Sequence, residues 1–341
     1  MPRPALMTRR SRAALFILAL GLPAAALASG SPEAWFGRMQ HTLQGQSYQG
    51  TIVYMGTGQP MAYHVVVCAA GYARLSALSG PPREIVRGPR VAVRLRPDGS
   101  SFVVHGMAGS ASPLPFPPAT DAPIPQLKHV YRFELGGWSR VAGHKSRLVE
   151  LVPRDGWRYG YRVWISDDTG LPLRSELVSG HGKVLERSFF TTVQPIDAAT
   201  ARTDIGPKAM SLVRHAASGP TLASSTACPG EAHGGHLKLT ELPPGFHRVH
   251  TSCEAGPGNR APVTHVVLSD GVSTVSVFVA RRRDNGGSLV GGTSIGSIHA
   301  VGRVERGFAV TAMGAVPFAT VSSIAHGVKV SAPRAQAVGT H

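Results

Sequence analysis

The amino-acid sequence predicts an α+β protein, predominantly antiparallel β, with a large N-terminal domain followed by a smaller β-rich one. Three observations predict it. Short β-branched or aromatic runs recur between Gly, Pro and Asp breaks along most of the chain. Nowhere do strand and helix patterns alternate as a doubly wound sheet requires. Hydrophobic periodicity lapses once, from Ala198 to Gly235, where small and polar residues take over. The expected organisation is a signal peptide at 1–28, a first domain at 29–197, a linker at 198–235, a second domain at 236–330 and a fraying tail at 331–341.

The N-terminus carries Arg3, Arg9, Arg10 and Arg12, then an almost wholly apolar run from Ala13 to Leu22, then Ala26-Leu27-Ala28 before Ser29. A basic flank, a short apolar core and an A-x-A step are the parts of a cleaved secretory signal. The run is shorter than the roughly 20 residues a membrane-spanning helix needs. No second run of that length occurs, so a soluble, exported product is expected. No Cys stands at the cleavage step, which argues against lipoprotein processing.

Ser31 to Leu43 has the pattern of a helix. Ser31 suits the cap, Pro32 the first turn and Glu33 the positive end of the helix dipole. Trp35, Phe36, Met39 and Leu43 recur on one face. Predicted strands follow at Gly50–Met55, Met61–Val67, Tyr72–Ser76, Arg83–Val86, Val91–Leu95 and Ser101–Val104, an antiparallel meander curling over that helix. The Pro-, Ala- and Ser-rich stretch from Met107 to Gln126 reads as a long loop. Strands resume at Val130–Glu134, Trp138–Val141, Lys145–Val152, Tyr159–Ser166, Leu171–Val178 and Val184–Val193. The second domain reads as strands at Gly245–Thr251, Pro262–Asp270, Val272–Ala280, Ser297–Val304 and Phe308–Met313. Val316–Ile324 fits either a strand or a helix.

Charge and cysteine usage narrow the function. The chain has 35 basic and 19 acidic residues, a net charge of +16; without the four arginines of 1–28, 31 basic residues remain and the net is +12. Outside the cell's nucleic-acid compartments, such a surface suits phosphorylated lipid head groups, an anionic membrane face or an acidic protein segment. No nucleic-acid partner is expected. An Arg-heavy composition bias would give the same field. Of the three cysteines, Cys228 and Cys253 flank one predicted strand and are the expected disulfide, which would add about 3 kcal/mol for a loop of that size. Cys68 lies in the strand-like run His64-Val65-Val66-Val67-Cys68 and reads as a small buried hydrophobe.

Catalytic and metal signatures are weak. Gly292-Thr293-Ser294-Ile295-Gly296 matches G-x-S-x-G, but a nucleophile elbow needs a strand before it and a helix after it. Here strand-like Ser297–Val304 follows. His233, His236, His247 and His250 form two H-x-x-H pairs with no carboxylate to complete a site, so no metal is expected. Arg281-Arg282-Arg283 reads as a solvated turn. H-E-x-x-H, the P-loop and G-x-G-x-x-G are absent, which removes metalloprotease, NTPase and dinucleotide chemistry. No cofactor and no enzymatic activity are expected.

One stretch carries a family resemblance. It comprises Val141-Ala142-Gly143-His144, Leu151-Val152-Pro153-Arg154-Asp155 and Trp157-Arg158-Tyr159-Gly160-Tyr161-Arg162-Val163-Trp164. It continues through Asp168-Thr169-Gly170-Leu171-Pro172-Leu173 and Gly182-Lys183-Val184-Leu185-Glu186. Outside it stand Tyr48-Gln49-Gly50-Thr51-Ile52-Val53-Tyr54, Leu242-Pro243-Pro244-Gly245-Phe246, Val266-Val267-Leu268-Ser269-Asp270-Gly271 and Val275-Ser276-Val277-Phe278. In order and spacing these resemble the MucB/RseB proteins over nearly the whole chain after 28. The resemblance implies a LolA/LolB-like half-barrel N-terminal domain with a smaller domain tethered to it. It also implies a periplasmic regulator that binds the periplasmic segment of a membrane-spanning anti-sigma factor, shields it from site-1 proteolysis and lets go on meeting lipopolysaccharide or other lipid signals. Neither Cys68 nor the Cys228/Cys253 pair belongs to the family pattern.

The residues themselves support a binding role. Strand alternation from Trp157 puts Trp157, Tyr159, Tyr161 and Val163 on one face and Arg158, Gly160, Arg162 and Trp164 on the other. Cations beside aromatics serve anion or partner recognition, whereas a core face backed by a solvated face gives the same pattern. The candidate ligand- or partner-binding residues are Arg154, Trp157, Arg158, Tyr159, Tyr161 and Arg162. Candidate partners beside the anti-sigma segment are lipopolysaccharide, lipoprotein acyl chains and a second copy of the chain as a homodimer. The alternative function is a periplasmic lipid or lipoprotein carrier without a regulatory partner.

Overall fold

The computed structural model describes residues 30–89, 91–96, 98, 100–104, 120–218, 237–256, 260–282 and 289–330. The signal-like segment, most of the Pro-rich loop, Cys228, the first H-x-x-H pair, Arg283 and the tail lie outside those residues.

Helix α1 (Pro32–Gly45) begins where its cap predicts, with the Ser31 hydroxyl accepting from the Ala34 N–H at 3.1 Å. Two meanders follow. The first runs β1 (Tyr48–Met55), β2 (Met61–Cys68), β3 (Tyr72–Ala77), β4 (Glu84–Arg87), β5 (Ala92–Leu95) and β6 (Ser101–Val104). After the short helix α2 (Ile124–Leu127) the second runs β7 (Tyr131–Val141), β8 (His144–Pro153), β9 (Gly160–Ser166), β10 (Pro172–Val178) and β11 (Val184–Pro195). Antiparallel pairing of β1 with β11 joins them into one eleven-stranded sheet, in the order β6-β5-β4-β3-β2-β1-β11-β10-β9-β8-β7.

Helix α1 covers one face of this sheet. Phe36 and Met39 are buried among Phe133, Val149, Val163 and Ile165, with the rings of Phe36 and Phe133 5.2 Å apart edge to face. Alternation sends Val65 and Val67 toward this side and Val66 and Cys68 to the other.

The opposite face of β2–β5 is covered by two helices that the sequence pattern does not announce. Helices α3 (Ala198–Ile205) and α4 (Pro207–Ser218) occupy the beginning of the segment expected to be linker. Ala201, Ile205, Ala209 and Val213 pack on Val66, Cys68, Val86 and Val93. The buried stripe alternates alanine with single larger residues and is divided between two short helices at Gly206, and its small side chains let a helix lie close to a sheet. A second difference has an equally local cause. Val130–Glu134 and Trp138–Val141 are one strand, β7, because the Gly136-Gly137 break is a bulge at which the register with β8 shifts.

The second domain pairs β12 (Leu237–Leu239) with β19 (Val328–Val330). Its main sheet comprises β13 (His247–Gly256), β14 (Arg260–Ser269), β15 (Thr274–Arg281), β16 (Gly291–Ile295), β17 (Ile298–Glu305) and β18 (Phe308–Gly314). Their order is β13-β14-β15-β18-β17-β16. The ambiguous Val316–Ile324 run resolves as helix α5 (Phe318–Gly327), with Val321, Ile324 and Ala325 buried against Val277, Val279 and Val310. Cys253 is disulfide-bonded, and Cys68 is a free, buried thiol. The α+β class, dominated by antiparallel sheet, is as the sequence predicts.

Phe36 is fully buried beneath the sheet. Phe36→Ala is expected to destabilise the protein by about 3–5 kcal/mol. Urea unfolding followed by tryptophan fluorescence measures it.

Candidate functional site at the domain junction

The six candidate residues do not share one surface. Trp157, Arg158 and Tyr159 belong to the loop before β9, so strand alternation begins only at Gly160. Arg154 is exposed, with Nε donating to the carbonyls of Lys128 at 2.9 Å and Tyr131 at 3.3 Å. Trp157 is half-buried, and its carbonyl accepts from Thr320 Oγ1 of α5 at 2.7 Å. Tyr159 is buried, with its hydroxyl 3.0 Å from His299 Nε2 of β17. Tyr161 is buried, and its hydroxyl lies 3.3 Å from Ser273 Oγ of the second domain. Arg162 points to the opposite face of the sheet, donating through Nε to Glu150 at 2.9 Å.

Arg158 is the centre. It is 2 % exposed, and a buried guanidinium has to be paired and hydrogen-bonded. Its Nε and Nη2 donate to the two carboxylate oxygens of Asp155 at 3.0 and 3.1 Å, a bidentate pairing within the first domain. Nη1 donates to Asp270 Oδ2 at 2.5 Å, and Nη2 also donates to the Pro244 carbonyl; both acceptors belong to the second domain. The rings of Tyr131 and Phe246 lie 5.8 and 5.2 Å from the guanidinium carbon.

Asp270 is equally occupied. Oδ1 accepts from the backbone N–H groups of Val272 at 2.9 Å and Ser273 at 2.7 Å, and Oδ2 accepts from the Tyr131 hydroxyl at 3.2 Å. Burial raises its pKa, and the Arg158 charge with the two N–H donors offsets only part of that rise. Burial works to lower the Arg158 pKa, but the Asp155 hydrogen bond and the Asp270 charge outweigh it and the net shift is upward. Tyr131 and Tyr161 are pushed up by burial and stay neutral donors.

Two glycines let the domains come this close. Gly245, at φ +82°, leaves so little room that a β-carbon would stand 2.5 Å from Val130 Cγ1. At Gly271, φ +99°, one would stand 2.9 Å from Leu127 Cδ2 and 3.0 Å from Ala122 Cβ. Thr120 Oγ1 also donates to the Gly271 carbonyl. The turns at Pro244-Gly245 and Asp270-Gly271 are therefore among the surfaces the second domain applies to the first. Beside them opens a cleft of about 320 Å³, bordered by Glu150, Asp155, Arg158, Tyr161, Arg162 and, from the second domain, Pro317.

On the far face, Arg162 joins a second charged array. Glu176 is buried beneath Arg174 and Arg187, accepting from Arg187 Nε at 2.7 Å and from Arg174 Nη2, with Arg162 Nη1 3.9 Å away. Arg174 in turn lies 4.2 Å over the Trp164 ring. Burial pushes the Glu176 carboxyl up, but the arginine hydrogen bonds outweigh it and hold it below the ordinary glutamate value.

The G-x-S-x-G sequence spans β16 and the turn into β17, a strand–turn–strand setting rather than an elbow. Ser294 Oγ lies 2.5 Å from His299 Nδ1, where it buttresses the hairpin. His247 and His250 are exposed on β13, and among the described residues no three His, Cys, Asp or Glu gather as metal ligands.

Sequence reasoning missed Asp270, Ser273, Tyr131 and Pro244. Asp270-Gly271 looks like any hairpin turn, and the only local hint is a carboxylate closing the apolar run Val266-Val267-Leu268.

Fold and junction define a class: a two-domain antiparallel-sheet protein whose domains are fastened by a buried ion pair, with an aromatic and arginine-rich strap at the seam. The chain belongs to the MucB/RseB family, matching the MucB/RseB N-terminal domain over residues 31–209 and the MucB/RseB C-terminal domain over 231–329. It is 28 % identical over 327 residues to the sigma factor AlgU regulatory protein MucB of Pseudomonas aeruginosa, covering 92 % of this chain and 95 % of that one. To the sigma-E factor regulatory protein RseB of Salmonella typhimurium it is 30 % identical over 261 residues, 76 % of this chain and 77 % of the relative. Among solved structures, the Pseudomonas aeruginosa MucA/MucB complex matches with a TM-score of 0.64 at 25 % identity, covering 88 % of this chain and 99 % of that one.

Two outcomes are expected, one at the seam and one at the far-face array. Arg158→Met strands the buried Asp270 and should cost about 3–5 kcal/mol, read by urea unfolding, with a larger radius of gyration in small-angle scattering. For Glu176 the lowered pKa fixes the sign: its stabilisation is present above the ordinary glutamate range and is lost as pH falls through the lowered folded value. Glu176→Gln should lower the thermal midpoint at neutral pH and flatten its fall on acidification.

Proposed function

We propose that this protein is a periplasmic, non-enzymatic regulator, exported by a cleaved signal peptide, that binds the periplasmic segment of a membrane-spanning anti-sigma factor. The observation that carries this reading is the end-to-end match of both domains, in order, to proteins named as sigma factor regulators. One of them, MucB, has been crystallised in complex with MucA(peri). Bound there, the protein covers the anti-sigma segment and keeps the site-1 protease from it. Lipopolysaccharide or another lipid-type amphiphile that favours the unbound form then shifts the equilibrium toward release.

The geometry divides the labour among the candidate residues. Arg158, Tyr159 and Tyr161 are spent on the junction and position the two domains. Arg154 and the accessible edges of Trp157 and Arg162 are left to meet a partner or an anionic head group beside the junction cleft. The net positive charge draws an acidic or phosphorylated ligand to this surface.

The test is a pair of measurements on the purified protein with the periplasmic segment of an anti-sigma factor. The segment should bind, resist cleavage by its site-1 protease while bound, and dissociate when lipopolysaccharide is added. Retention of lipids or lipoproteins alone, with no affinity for the segment, would replace this reading with the carrier. Arg154→Glu should weaken the segment or the amphiphile at least fivefold in titration calorimetry, with the unfolding midpoint followed alongside because the Nε bonds to the Lys128 and Tyr131 carbonyls are lost as well.

A further inference from the structure

The six-stranded sheet of the second domain ends on an open edge. Among the described residues β16 is its outermost strand, paired with β17, and all five of its residues are exposed. Sheet edges are ordinarily blunted by charge, proline or a bulge, because a row of free N–H and C=O groups recruits other strands. Gly291-Gly292-Thr293-Ser294-Ile295 has no charge and no proline, and its register with β17 runs without a shift. The turn is two residues long, Gly296 and Ser297, which makes Ile295 and Ile298 a hydrogen-bonded pair. Pairing alternates from there, so Gly292 and Ser294 turn their N–H and C=O groups outward.

The edge is also held in place. A β-carbon at Gly292 would stand 2.5 Å from the Phe318 ring, so the strand lies flat against α5. Ser294 reaches His299, and through it Tyr159 of the first domain. Ser297 Oγ donates to the Glu186 carboxylate, and Gly296 abuts Thr57, so the turn is seated on the first domain. A strand fixed in advance loses little entropy when it is paired.

Around the edge lies an apolar rim: Leu289, Val290, Ile295, Ile298, Met313 and Phe318 are exposed by 36 to 71 %. Ile295, Ile298 and Met313 share one face of the sheet by register, and Phe318 lies on the other. A row of backbone groups bordered by apolar side chains on both faces recognises an extended polypeptide with apolar residues on its two sides, by strand addition. Neither an anionic head group nor an acidic patch finds a counter-charge on β16.

We propose that the open edge Gly291–Ile295 takes up an extended, largely uncharged segment of the polypeptide partner as a seventh strand of this sheet. The inference rests on the partner assigned under Proposed function. Because the turn of the hairpin sits on the first domain, the added strand continues across the junction and is read by both domains.

The experiment uses the purified full protein and the periplasmic segment of the anti-sigma factor, with amide hydrogen exchange and calorimetry. The segment should slow exchange at the Gly292 and Ser294 amides at least tenfold. Ser294→Pro, which removes an outward N–H but none bonded to β17, should weaken binding at least tenfold. Ile295→Lys, which keeps the backbone and adds an edge charge, should do the same, and circular dichroism should show both variants folded. Binding of the segment within twofold of the parent by both variants, with unchanged exchange, overturns strand addition while leaving the partner reading intact. Failure of the parent protein to bind the segment overturns both. Slowing that follows the protein's own concentration without the segment assigns the edge to a second copy of the chain and overturns the proposal.

Discussion

A single guanidinium decides how the two halves of this protein sit. Arg158 is held on its own domain by the bidentate Asp155 and reaches out to Asp270 and the Pro244 carbonyl. Because both members of the Arg158–Asp270 pair are out of contact with water, neither can lose the other without leaving an uncompensated buried charge. Everything else at the seam is arranged around that constraint. The two phenols and Ser273 satisfy what remains of the carboxylate and of one another, and the two glycines let backbone approach backbone. The candidate ligand-binding strap is thereby converted, over three of its residues, into a fastening.

Most of the fold was legible because its cause is local. The cap at Ser31, the period-2 runs of β1–β6 and the breaks between them depend on neighbours in sequence, and the observed strands fall within a few residues of the expected ones. The failures share a different cause. Helices α3 and α4 are stabilised by a sheet 130 residues upstream, through a stripe of Ala201, Ile205, Ala209 and Val213 that is split between two short helices at Gly206. The Gly136-Gly137 bulge reads as a chain break because only the partner strand β8 shows that pairing continues past it.

The site was legible to a lesser degree, and for the same reason. Aromatic and arginine side chains between Arg154 and Arg162 mark an unusual strap, but their roles are set by what faces them. Placing Arg158 on the face opposite Tyr159 and Tyr161 followed from running strand alternation back to Trp157, whereas β9 begins at Gly160. What consumes its charge is a turn residue 112 positions downstream, which no local pattern connects to it. The family motifs did hold this information in another form: Leu242–Phe246 and Val266–Gly271 stand out in the sequence, and the structure sets the Pro244-Gly245 and Asp270-Gly271 turns they contain against the first domain.

A polar seam has consequences that an apolar one would lack. A well-packed hydrophobic junction of the same size would be more stable and would hold the domains together regardless of what each binds. Here a buried charge pair and its hydrogen bonds, set beside apolar contacts such as Val272 and Ala315 on the first-domain core, define the arrangement of the two domains sharply in geometry. Any ligand with different affinity for the closed and open arrangements shifts their populations by that difference and no more. The junction cleft is bordered by Asp155, Arg158 and Arg162, but the Arg158 side chain is out of contact with water, so its charge serves the fastening of the domains and not the cleft.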